Sequence, residues 1–313
     1  MQLIDTDLTD TRVLALTSAQ GGVIASRQVA QLGIGAADLR RWVRQGALVR
    51  PRRGALVDGP LWRDSPPDDR YRLTVMSVMR SRSTDDAASH HSALALHGLP
   101  LWQVDKNLVV LSGDVAETTT CNGLRLMPLR ALVAPTEVSG LRVLAVADAV
   151  VTTASTSYAA GVVAADAATH SGACTTADLH EAAERLLRGL RGRRRVRSVL
   201  ADVDPACESP GESRTRIVLR ALGLPLRTQA EIRDQQGRFV ARVDFLVGDR
   251  CVIEFDGAVK YAGAEGQAAL VREKRREDRL RELGYRVIRL TWDDLARPQV
   301  VLARIRAALD TRP

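Results

Sequence analysis

Lysine is nearly missing from this chain of 313 residues: it occurs only at Lys106, Lys260 and Lys274, so arginine carries almost all of a formal charge of +8. A cationic surplus points to an anionic partner, with nucleic acid the first candidate, although heavy arginine and alanine use also follows from coding bias. Cysteine is scarce as well. Cys121, Cys174, Cys207 and Cys251 lie far apart with no C-x-x-C pair, which argues against a zinc knuckle or a disulfide framework and is expected of buried thiols in a reducing compartment. The opening residues Met1-Gln2-Leu3-Ile4-Asp5 lack the basic stretch and apolar core of a secretory signal. No apolar run is long enough to cross a bilayer, because acids such as Asp148 and Asp166 interrupt the Ala- and Val-rich middle. Low-complexity tracts are absent. A cytoplasmic protein without a membrane partner is expected.

What is present reads as an α/β multi-domain chain. A hydrophobic fraction of 45% indicates folded structure, and 313 residues exceed one ordinary core. Residues 1–60 are expected to form one domain, 66–175 an α+β middle domain, 176–205 a basic helical connector and 206–313 a last domain. In the first, a helix over about 11–19 precedes a second that Ser26 caps, and a third runs from Ala36 to Gln45 with Leu39 and Val43 inward. Two short strands joined by Pro51-Arg52-Arg53-Gly54 complete the order of a winged helix-turn-helix. Its third helix would enter the major groove with Arg40, Arg41 and Arg44, and Arg52 and Arg53 on the wing would reach the DNA backbone or minor groove. The alternative is a solvated cationic face. The segments Gly22-Val23-Ile24, Leu39-Arg40-Arg41-Trp42-Val43 and Leu48 to Leu56 resemble the winged-helix domain of AbiEi-type antitoxins of type IV toxin–antitoxin and abortive-infection systems. That resemblance implies promoter binding, repression of the protein's own operon and a cognate toxin as partner.

The middle domain offers less. His90, His91 and His97 have no carboxylate or cysteine at ligand spacing and read as polar surface or capping groups. Strand-like runs at 108–111, 124–127 and 141–144 precede an Ala-rich helical region, and no chemistry is legible there. From Thr176 onward an apolar helical face ends at Gly192, beside the run Arg191 to Arg197. That run reads equally as a phosphate grip and as a solvated connector.

The last domain holds the densest chemistry. Gly248-Asp249-Arg250 reads as a three-residue hairpin loop that pairs Val247 with Cys251 and so sets Asp244 opposite Glu254 and Arg242 opposite Asp256. Alternation then puts Asp244, Glu254 and Asp256 on one side and Val243, Phe245, Ile253 and Phe255 on the other. Opposed like charges repel. A hard cation such as Mg²⁺ would offset this; otherwise Arg242 neutralises Asp256 and Glu254 points into water. Glu212 sits in the first turn of a preceding helix, where the helix dipole stabilises a carboxylate.

The order helix, three strands, crossover helix, strand resembles the restriction-endonuclease-like α-β-β-β-α-β core of PD-(D/E)xK nucleases. Five blocks, Glu208 to Arg214, Val243 to Phe245, Ile253 to Gly257, Arg275 to Leu280 and Leu283 to Arg289, resemble more closely the family akin to very-short-patch-repair endonucleases. The resemblance implies DNA phosphodiester hydrolysis with Mg²⁺ or Mn²⁺ held by Asp244 and Glu254 and supported by Glu212. Asp256 stands where classical members have the catalytic lysine, a departure, and Lys260 is the candidate to return an ammonium to the site. A nuclease-like domain kept for binding alone stays open.

Overall fold

The structure, a computed structural model, describes residues 10–129, 133–186, 191–257 and 263–310. Lys260 lies outside the described residues, and so does any role for it. The chain divides into two compact units, the first ending at residue 168 and resuming over 173–202, the second taking 169–172 and everything from 203.

The first unit opens with α1 (Thr11–Ala19), β1 (Val23–Ala25), α2 (Ser26–Gln31), α3 (Ala36–Gln45), β2 (Leu48–Arg52) and β3 (Ala55–Asp58). The strands form an antiparallel sheet in the order β1-β3-β2. Leu39 and Trp42 of α3 join Val13, Ile24, Val29, Leu48 and Leu56 in one core. Strand β1 was not expected, because three residues are too few for alternation to register; all three are buried against β3. After α4 (Gly59–Asp64), α5 (Pro67–Ser81) packs on β1 and β3 with one side and on a later helix with the other. That sharing explains why Tyr71 and every residue from Leu73 to Met79 is buried.

Next come β4 (Ala87–Ala88), α6 (His90–Leu96), β5 (Val109–Gly113), β6 (Thr119–Cys121), β7 (Leu124–Pro128), β8 (Thr136–Val138) and β9 (Leu141–Val143). They build a mixed sheet ordered β6-β7-β5-β4-β9-β8. Four helices follow, α7 (Val146–Thr156), α8 (Tyr158–His170), α9 (Thr176–Leu186) and α10 (Arg193–Ala201). α6 packs on α7, and α7 on α9 and α10.

The histidines differ from expectation. His90 and His91 are buried rather than at the surface, and His91 Nε2 lies 3.1 Å from the Leu108 carbonyl and 3.2 Å from that of Asp105. His97 Nε2 meets the Leu144 carbonyl at 2.8 Å. His91 and His97 thus spend a ring nitrogen on main-chain oxygens, that of Leu108 being shared with the Tyr71 hydroxyl at 2.9 Å. Cys174, Cys207 and Cys251 are buried as expected, whereas Cys121 is exposed in β6.

The second unit contains α11 (Pro210–Ala221), β10 (Leu226–Arg233), β11 (Phe239–Val247), β12 (Cys251–Phe255), α12 (Gly263–Glu282), β13 (Arg286–Leu290), α13 (Trp292–Leu295) and α14 (Pro298–Asp310). The sheet runs β10-β11-β12-β13, antiparallel except for β12 with β13, whose parallel pairing requires a crossover that α12 supplies. Phe245, Val247, Cys251 and Ile253 face a core built with α11, α13 and α14. Burying a side chain such as Phe245 contributes about 1.5–3 kcal/mol. Ala241, Val243, Leu246 and Val252 pack with Leu280 of α12 on the other face. Val243 is therefore not beside Phe245 as strict alternation had it. The faces exchange at Asp244, opposite Gln229, whose φ of +48° breaks the regular extension of β10.

Candidate functional site

In the first unit the spacing of Leu39 and Trp42 rotates α3 so that its apolar stripe is consumed by the core. Arg40, Arg41 and Arg44 consequently stand on the exposed side. Arg41 Nη2 lies 2.7 Å from Asp38 Oδ1, with both side chains more than 40% exposed (47% and 43%). Such surface pairs contribute about 0–1 kcal/mol, so Asp38 would yield Arg41 to a competing anion at little cost.

The two wing arginines part company. Arg53 is exposed at the tip. Arg52 donates from Nη2 to the Asn107 carbonyl at 2.7 Å and from Nη1 to the Pro51 carbonyl at 3.2 Å. Main-chain oxygens hold its guanidinium against the segment before β5, so it ties the wing down instead of reaching outward. Of the two wing arginines expected at DNA, Arg53 is the one whose side chain stands exposed.

In the second unit the sequence Ser209-Pro210-Gly211-Glu212 builds the start of α11. Ser209 is the N-cap, its Oγ accepting from the Glu212 N–H at 3.1 Å, and the same hydroxyl donates to Glu212 Oε1 at 2.7 Å. The other Glu212 oxygen accepts from Glu208 N–H at 3.0 Å and from Gln229 Nε2 at 2.9 Å. Glu212 is thus largely committed to holding the helix start. Gly211 lets that start approach β12: a Cβ there would lie 2.0 Å from the Phe255 ring.

The hairpin register is as the loop implied, Val247 opposite Cys251 through Phe245 opposite Ile253. Beyond that point Asp244 substitutes its side chain for the ladder, Oδ2 accepting from Phe255 N–H at 2.8 Å. Burial, together with repulsion from Glu212 and Glu254, pushes its pKa up to about 6 against that hydrogen bond and the Arg276 charge. Glu254 is buried too, neither in water nor unpaired: its Oε1 lies 2.6 Å from Arg276 Nη2, and Arg289, its neighbour across β13, stands 3.9 Å from Oε2. Burial raises the Glu254 pKa in spite of Arg276. Glu273 accepts from Arg276 at 2.8 Å and from Arg289 at 2.6 Å, and Glu277 from Arg289 at 3.0 Å.

Arg242 pairs with Glu208, not with Asp256. Asp256 is exposed at the end of β12, its N–H donating to the Leu290 carbonyl. Asp244, Glu212 and Glu254 are thus brought together, while Asp256 stands outside the group. The guanidinium of Arg276 was missed by the reading of the sequence. Its signal was present in the i, i+3 pair Glu273 and Arg276 and in the parallel register that sets Arg289 beside Glu254. Among the described residues no group of three or more His, Cys, Asp or Glu side chains is arranged to hold a metal ion. As they stand, all three carboxylates are already partnered, Glu212 by hydrogen-bond donors, Glu254 by a guanidinium and Asp244 by the Phe255 N–H.

Residues 12–57 match the model of the transcriptional regulator AbiEi antitoxin domain. Two uncharacterized proteins of Mycobacterium tuberculosis, MT2308 of strain CDC 1551 / Oshkosh and Rv2248 of strain H37Rv, are each 35% identical over 148 residues, 46% of this chain. The match spans about half of those relatives' own length, 53%. The crystal structure of the Rv2827c protein of Mycobacterium tuberculosis aligns over 62% of this chain and 81% of that one at 18% identity, with a TM-score of 0.33. No helix among the described residues is long and apolar enough to cross a membrane.

The raised pKa of Asp244 has a definite sign. The unfolded chain releases this proton near pH 3.8 and the folded one near 6, so the native state holds the extra proton between them and its stability falls as pH rises through that window. Asp244→Asn keeps an oxygen for the Phe255 N–H and removes the charge. Urea unfolding should find the variant about 1–3 kcal/mol more stable than the parent at pH 8, with the gap closing near pH 4; an equal gap at both pH values would contradict the assignment.

Proposed function

We propose that this chain is a DNA-binding transcriptional regulator of the AbiEi antitoxin kind, which sets α3 in the major groove of its own promoter and has a cognate toxin as partner. The observation that carries the reading is the exposed arginine face of α3, within the very residues that match the antitoxin regulator model. Arg40, Arg41 and Arg44 meet phosphates or guanine edges, and Arg53 meets the backbone beside the groove. Arg52 fixes the wing that carries Arg53. Binding of this kind is salt-sensitive because each neutralised phosphate releases condensed counterions.

Electrophoretic mobility shifts on the fragment upstream of the gene test this. Arg40→Gln and Arg44→Gln should each weaken binding roughly tenfold and reduce the slope of log K against log salt by about one. Arg52→Gln should lower thermal stability while leaving that slope unchanged. Equal slopes in all three variants would contradict the reading.

A second reading, a nuclease of PD-(D/E)xK type, is supported by the element order of the second unit and by the convergence of Asp244, Glu254 and Glu212. In it, Mg²⁺ or Mn²⁺ held by Asp244 and Glu254 would provide Lewis acidity toward a DNA phosphodiester. Arg276 would first have to leave Glu254. The regulator reading expects intact supercoiled plasmid after incubation with either metal. Nicking that EDTA stops and that disappears in a folded Glu254→Ala protein would establish the second reading instead.

A further inference from the structure

A cavity of about 420 Å³ opens in the first unit where α6, β5, β7, α7 and α9 meet. That volume lies in the range of small-molecule sites. The two DNA readings make no use of it. Its lining contains no Asp or Glu among the described residues, one arginine, hydroxyl-bearing residues such as Thr152 and Ser155, and the apolar side chains Met127, Leu144 and Leu186.

Three features of the backbone and side chains shape this space. His90, the first residue of α6, has φ of +52°, a left-handed conformation that costs a residue other than glycine about 1–3 kcal/mol and that concentrates at functional positions. It delivers a buried imidazole to the cavity. Nδ1 lies 3.2 Å from Ser89 Oγ, and Nε2 has no partner among the described residues. Burial, with the charges of His91 and Arg125 nearby, pushes its pKa down to about 3, so at neutral pH the ring offers one N–H and one lone pair.

The second feature is Gly192, with φ of +87°. A Cβ there would lie 2.2 Å from the Ser155 carbonyl oxygen, so only glycine lets the chain close on the end of α7. This closure seats the neighbouring Arg191 at the cavity mouth, exposed and with its five N–H donors to offer.

The third is the hydroxyl row of α7. Thr152 donates to the Asp148 carbonyl at 2.7 Å, Ser155 to that of Thr152 at 2.6 Å, and Thr156 to that of Thr153 at 2.8 Å. Their protons are spent on the helix, so they show the cavity acceptor lone pairs. An exposed cation, hydroxyl acceptors and apolar carbon in one lining fit a molecule with an acid group, a donor group and a hydrocarbon body.

We propose that this cavity binds a small organic anion, a carboxylate or phosphate ester with an apolar body, whose acid group pairs with Arg191 while its body packs on Met127 and Leu144. A planar guanidinium takes either acid in a two-point fork. The site is independent of the α3 face and of the carboxylates of the second unit.

Isothermal titration of the full chain tests it with benzoate, isovalerate and phenyl phosphate, each beside a neutral counterpart, benzamide, isovaleramide and phenol respectively. At least one anion should bind one-to-one with Kd below about 1 mM, and its neutral counterpart at least about tenfold more weakly. Arg191→Gln, at an exposed position that does not threaten folding, should reduce anion affinity to that of the neutral molecule. Met127→Trp, which fills the cavity, should abolish binding of both. Benzoate against phenyl phosphate separates a carboxylate ligand from a phosphate one. Saturation by none of the three anions below about 1 mM, or undiminished binding in Arg191→Gln, would overturn the proposal.

Discussion

Seating Leu39 and Trp42 in the core of the N-terminal sheet is the constraint from which the rest of the first unit follows. Once those two side chains are buried with Val13, Ile24 and Leu48, helical geometry leaves α3 no choice about where Arg40, Arg41 and Arg44 stand. The apolar stripe fixes the rotation, and the rotation creates the cationic face. The sheet beneath is in turn braced by α5, whose two buried sides join it to the helices behind the six-stranded sheet. On so firmly packed a base α3 is presented as a fixed surface, which the proposed entry into a DNA groove would require.

A formal charge of +8 overstates what is available to an anionic partner. Several arginines of this lysine-poor chain are tied to the protein's own oxygens. Arg52 holds the Asn107 carbonyl, Arg27 the carbonyls of Arg80 and Arg82, Arg195 that of Ser155, and Arg276 the carboxylates of Glu254 and Glu273. Guanidinium suits this work because it spreads one charge over a planar set of donors and is less strongly hydrated than an ammonium. The same habit decides the character of the acidic hairpin. Removing Arg276 would leave Glu254 buried and uncompensated, a costly state, so the carboxylates of the second unit are held together by a protein cation.

The parts legible in the sequence were those with a repeating signal or a strong local rule. The helical period of α3, the hairpin loop at Gly248 and the convergence of Asp244 with Glu254 all rest on such rules, and so does the place of Glu212 in the first turn of α11. The parts that escaped depend on who meets whom across long separations. Nothing local to Arg52 distinguishes it from Arg53; only the approach of Asn107, 55 residues on, separates a brace from a contact. Arg276 lies 22 residues from Glu254, beyond any period. Val243 changed faces because the partner strand bends at Gln229, which its own segment does not record. The cavity beside His90 was invisible for the same reason, since its walls come from five elements and its mouth from a residue placed by the close approach at Gly192.

The central claim is that DNA is met through α3 and the wing tip and not through the acidic sheet edge of the second unit. Hydrogen–deuterium exchange on the full chain, with and without the DNA upstream of its gene, measures this directly. Slowed exchange over residues 36–53, with no change over 251–257, is the result the account predicts. Protection confined to 251–257, leaving α3 and the wing unaltered, would contradict it.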